Sequence, residues 1–195
     1  MASLEKSARI FYNMPMPRNI VYFDLETQRT SNDAGGWDCK QNMGMSLAVT
    51  YSTASGEYRI YGEKRVNALV EELLKADLVI GYNILHFDYE VLMGYTILDL
   101  KHHIPTLDML VEIEKKLGHR LALDALAKAT IGAGKSGDGM EAIKWWREGR
   151  LLEIAEYCCI DVKVTRMLHE YGCKNKELFY NDRFAQRRRV EIEWN

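Results

Sequence analysis

Four carboxylates and one phenol stand at spacings that let them share a task. Asp24 and Glu26 close the apolar, β-branched and aromatic run Asn19-Ile-Val-Tyr-Phe-Asp-Leu-Glu26, which reads as a buried strand. Side chains alternate across a strand, so these two carboxylates, two residues apart, point to one side. Like charges that close repel and push one pKa up unless a cation lies between them. Asp88 ends the stretch Gly81-Tyr-Asn-Ile-Leu-His-Phe-Asp88, where a strand gives way to a helix. In Tyr157-Cys-Cys-Ile-Asp161 the i, i+4 spacing puts phenol and carboxylate on one helical face. Each piece also has an ordinary explanation: solvated acids at a strand end, a first-turn carboxylate complementing a helix dipole, and an amphipathic helix with Asp161 in water.

Order and spacing together say more than the pieces. D-x-E on the first strand, N-x₃-F-D after a later one and Y-x₃-D on the last long helix resemble the three exonuclease motifs of the DEDD superfamily. The resemblance runs from Ile20 to Gly172. It is to the proofreading domains of family B polymerases and to the exonuclease domains found with some helicases, and it implies a ribonuclease H-like fold. One subclass of that superfamily carries His before the last Asp, spaced one residue farther away, and the other carries Tyr. Here Glu156 occupies the His position and Tyr157 stands where the Tyr subclass requires it, so the likeness is to the DEDDy type. Leu121-Ala-Leu-Asp-Ala-Leu-Ala and Trp146-Arg-Glu-Gly149 resemble the same branches more weakly.

That resemblance implies a metal-dependent 3′-to-5′ exonuclease releasing nucleoside 5′-monophosphates. Asp24, Glu26, Asp88 and Asp161 would hold two divalent cations, with Asp24 bridging them and Asp88 acting largely through water. Hard oxygen ligands without His or Cys suit Mg²⁺ or Mn²⁺. Two such ions about 4 Å apart stabilise the attacking and leaving oxygens of an in-line displacement at phosphorus. Tyr157 would orient the water, since an unperturbed phenol, with a pKa of about 10, is a weak base near neutrality. Asn83, Leu25, Thr27 and Phe87 are expected at the terminal nucleotide. For Asn83 a helix-capping role is the competing expectation, and for Phe87 it is core packing. The partner the resemblance implies is the 3′ end of single-stranded DNA or RNA, with room for a helicase or polymerase as a companion.

The elements that must position these residues read as strands first, then a crossover and helices. Thr27 to Gln41 is rich in Gly, Asn, Asp and Ser and reads as a loop. Met45 to Tyr51 and Glu57 to Tyr61 form a meander about a turn at Ala54-Ser55-Gly56. Val66, Leu69, Val70, Leu73 and Leu74 recur at helical spacing between Arg65 and Ala76, before a strand from Asp77 to Gly81. Helices are predicted from His86 to Gly94, Thr106 to Leu117 with Thr106 as N-cap, Leu121 to Ile131, Gly139 to Arg147 and Leu151 to Tyr171. Lys176 to Trp194 suggests a hairpin around Asp182. The sum is an α/β domain with a mixed sheet: an N-terminal extension (1–18), the catalytic domain (19–172), and a hairpin extension (173–195) packed on it.

Composition excludes several classes. The chain has 195 residues, with 26 Lys+Arg against 28 Asp+Glu, enough for one core and without a global positive field. No apolar stretch is long enough to span a membrane, and 1–10 lacks a signal peptide's apolar segment, so a cytoplasmic protein is expected. Cys39, Cys158, Cys159 and Cys173 form no C-x-x-C pair and suit reduced thiols. Only two residues separate Gly132 from Lys135, which is not P-loop spacing and disfavours triphosphate hydrolysis or phosphotransfer on free nucleotides. His102 and His103 read as surface loop residues, and Trp145 and Trp146 as helix packing. Lys135, Lys144, Arg147 and Arg187-Arg-Arg189 could contact a backbone phosphate, but charge runs are usually solvated faces, and no role is assigned to them. The rival functions are a non-catalytic binding or scaffold module and an endonuclease of the same fold.

Overall fold

The computed structural model describes residues 18–134 and 139–194. The expected N-terminal extension, apart from its last residue, and Lys135 lie outside them. From Ile20 the apolar run forms β1 (Ile20–Thr27), the middle strand of a five-stranded sheet ordered β3-β2-β1-β4-β5. On one side β1 pairs antiparallel with β2 (Met45–Ser52), and β2 with β3 (Glu57–Gly62). On the other, β4 (Leu78–Gly81) and β5 (Thr106–Asp108) run parallel to β1. The sheet is therefore mixed, and helices cover both faces.

Strand alternation divides the core in two. Val21, Phe23 and Leu25 face a cluster built with Leu69 and Leu73 of α2 (Val66–Lys75), and with Tyr89 and Leu92 of α3 (Asp88–Leu92). Tyr22 faces the opposite cluster, with Ile113 of α5 (Met109–Leu117), Leu126 of α6 (Leu123–Ile131), and Ile154, Cys158 and Val162 of α8 (Leu151–Asn175). Asp24 and Glu26 share the parity of Tyr22, so they are directed towards α8. The hairpin β6 (Glu177–Asn181) and β7 (Arg187–Glu191) adds Leu178 and Val190 to this second cluster. No helix among the described residues is long and apolar enough to cross a membrane.

Several elements depart from the expectation. Thr27 to Gln41 is not simply a loop: it holds α1 (Ser31–Ala34) and a 3₁₀ turn over Trp37–Asn42. A capping box between Thr30 and Asp33 nucleates α1, and Gly35 ends it in the left-handed region at φ 100°. Thr106 is no N-cap. It lies in β5, paired with Val79, and the helix starts three residues later under Asp108, whose side chain accepts from the N–H groups of Leu110 and Val111. A β-branched residue beside an open sheet edge is recruited to the sheet, while the shorter acid caps the helix. Helix α3 occupies only the middle of the span from His86 to Gly94. His102 and His103 sit on a short helix, α4 (Leu100–His103), and both are exposed. Helix α7 (Gly139–Arg147) keeps its expected bounds.

Candidate active site

The opposite-face parity of Asp24 and Glu26 meets the i, i+4 stripe of α8. One carboxylate oxygen from each of Asp24, Glu26 and Asp161 lies within 4.8 Å of the others. Glu26 and Asp161 are buried and Asp24 is half-buried. Asp161 is therefore not the solvated residue of an ordinary amphipathic helix. Tyr157, one turn earlier, is buried too, and the indole of Trp145 on α7 meets its ring edge-on, centroids 6.0 Å apart. Trp145 thus packs, as expected, but it packs on the site's own phenol.

Asp88 reaches the same place from the other side of β1. It is buried at the start of α3, and its Oδ1 accepts the Leu25 backbone N–H at 3.0 Å. Burial first, and then the Asp24 charge, push its carboxyl well above the ordinary carboxylate range against the pull of that N–H. Asp88 stands beside the three-carboxylate cluster, not within it.

The loop between β4 and α3 is set by Gly81 and Asp108. A Cβ at Gly81 would fall 2.3 Å from Ile84 Cγ2 and 2.9 Å from the Phe23 carbonyl oxygen, so glycine alone lets the loop turn against β1. Asn83 then adopts a left-handed backbone at φ 70°. The buried Asp108 carboxylate accepts from the N–H groups of Asn83 at 2.8 Å and Leu85 at 2.9 Å while capping α5. The Asn83 amide does not cap α3, which has no side-chain cap; its Oδ1 accepts from Arg120 at 2.7 Å.

Between these walls lies a cavity of about 480 Å³, ample for a small ligand. The four acids and Tyr157 line it, as do all of Leu25, Thr27, Asn83 and Phe87. Phe87 lines the cavity and also packs on the first core cluster, as its competing expectation held. At the mouth, Trp37 is 64% exposed, its ring tilted against Phe87 at 6.4 Å. On the α8 side, Cys158 donates its S–H to the Asp24 backbone oxygen and Oδ2, each at 3.3 Å. Burial and the charges of Asp24 and Glu26 push this thiol up, which keeps it protonated and a donor.

Three contributors lay beyond the sequence reading. Trp37 sat in a segment read as loop. Asp108 carried a signal, an acid just ahead of a helical period, but Thr106 was read as the cap. Arg120 reveals its link to Asn83 only through the fold. Of the basic residues, Arg147 is paired with Asp33 at 2.8 Å, tying α7 to α1 across the cavity's rim. Lys144 pairs with Glu148 at 3.9 Å. No protein-family model and no curated protein matches this chain.

Proposed function

We propose that the chain is a metal-dependent 3′-to-5′ exonuclease of the DEDDy type with a ribonuclease H-like fold, acting on a nucleic-acid 3′ end. The observation that carries this reading is the convergence of Asp24, Glu26 and Asp161 within 4.8 Å in one cavity with Asp88 and Tyr157. Three largely buried carboxylates so close are costly without a cation, and their donors are all hard oxygens. The neighbouring Cys158 thiol donates its S–H to Asp24 Oδ2. The residues therefore fit Mg²⁺ or Mn²⁺ held by Asp24, Glu26 and Asp161, with Asp88 in support. When bound, such ions supply Lewis acidity and charge neutralisation at the scissile phosphate.

The chain's own groups do the remainder. Leu25, Thr27 and Phe87 offer an apolar wall to the terminal base and sugar, and Asn83, braced by Arg120 and Asp108, offers an amide at its edge. Tyr157, held edge-on by Trp145, orients the attacking water by hydrogen bonding. Cys158 holds Asp24 in place through its S–H. Incubation of 5′-labelled DNA and RNA strands, single and double, with Mg²⁺ or Mn²⁺ tests the reading. Stepwise shortening with release of 5′-monophosphates is expected, absent from Asp24→Ala and Asp161→Asn; internal cuts, or full activity in either variant, overturn it.

A further inference from the structure

A second cavity, also about 480 Å³, lies beside the turn of the hairpin, lined by His119, Leu121, Tyr180, Asp182, Arg183 and Phe184 among others. It adjoins the first through three successive residues. Arg120 holds Asn83 of the first cavity, while its neighbours His119 and Leu121 line the second. Tyr82, also in the first cavity's wall, donates its hydroxyl to the Leu121 carbonyl at 2.8 Å. Arg120 is half exposed, pairs with the Glu114 carboxylate at 3.4 Å and stands at the junction.

The second cavity is aromatic and cationic. Phe184 is 68% exposed at the hairpin turn, with the Arg183 guanidinium 4.8 Å from its ring centroid. Tyr180 presents its ring to His119, centroids 6.0 Å apart. The one acid in the wall, Asp182, is engaged by Arg188 at 2.8 Å and by the turn's own N–H groups. Among the described residues Arg183 has no carboxylate partner, and its guanidinium faces the Phe184 ring alone. An exposed ring beside an unneutralised guanidinium suits bases linked by phosphates, because stacking takes any base and the cation takes the backbone.

We propose that this hairpin cavity binds a nucleotide farther back on the same single strand whose 3′ end occupies the first cavity, with Arg183 at its phosphate. The substrate class rests on the exonuclease reading above. The test measures anisotropy of labelled single strands in EDTA, comparing a strand of about 12 nucleotides with a dinucleotide. The preference for the longer strand is expected to fall about tenfold in Phe184→Ala and to fall also in Arg183→Gln, with melting temperatures near that of the wild type. An unchanged preference in both variants, or equal losses on both lengths, overturns the inference even if strands are shortened normally with Mg²⁺. A hairpin-dependent preference without any metal-dependent shortening upholds the strand-binding cavity and overturns the exonuclease reading alone.

Discussion

Neutralising one acid of the cluster should stabilise the metal-free protein. Two unit charges 4.8 Å apart repel by about 3 kcal/mol at an effective dielectric of about 20. Asp161→Asn removes two such repulsions and keeps the side chain's shape. With half of that screened by counter-ions and cavity water, about 3 kcal/mol remains, and ~2–4 °C per kcal/mol for a chain of this size gives a rise of about 6–12 °C. Differential scanning fluorimetry in EDTA reads the shift. Titrated Mg²⁺ should then raise the wild-type melting temperature, by about 2.7 kcal/mol of stability at a hundred times its Kd, and leave the variant nearly unmoved. A variant less stable than wild type in EDTA, together with no Mg²⁺ response in the wild type, would refute the idea that these three acids form a preorganised cation site.

Three further outcomes follow from the same geometry. Tyr157→Phe should slow strand shortening by about 10²–10⁴-fold with little change in stability, as expected for the loss of one positioning group; an unaltered rate removes the phenol from the reaction. Gly81→Ala should cost about 1–3 kcal/mol in urea unfolding, because its Cβ meets Ile84 and the Phe23 carbonyl, and should also weaken Mg²⁺ binding by displacing the loop before Asp88. His169, buried against Tyr22 with Nδ1 2.9 Å from the hydroxyl, has its pKa lowered by burial from 6.5 to about 4. The unfolded chain therefore binds the extra proton across that window. Stability present above pH 6.5 is lost as pH falls towards 4, by up to ~1.4 kcal/mol per pH unit, and His169→Gln should flatten that slope.

What could be read from residues alone was what local periodicity dictates. Asp24 and Glu26 share a face because a strand alternates, and Tyr157 and Asp161 share one because a helix repeats near four residues. Two such local facts pointed to one cluster, and α8 does cross the face to which Tyr22, Asp24 and Glu26 belong. Contributions resting on distant partners were hidden. Asp108 is an ordinary helix cap locally, and only its bonds to Asn83 and Leu85 make it the brace of the loop before Asp88. Trp37 lies in polar, glycine-rich sequence, and the Thr30–Asp33 capping box with Gly35 turns that segment so that the indole reaches the cavity mouth. Thr106 joins β5 and does not cap the helix because pairing with β4 outweighs its capping preference.

Product analysis of a 5′-labelled single strand incubated with Mg²⁺ or Mn²⁺ tests the proposed exonuclease most directly. A descending ladder of single-nucleotide steps is expected, with 5′-monophosphates as the released product and no reaction in EDTA or with Asp24→Ala. Intact strands at every metal concentration, or fragments cut internally with the 3′ terminus retained, would contradict it.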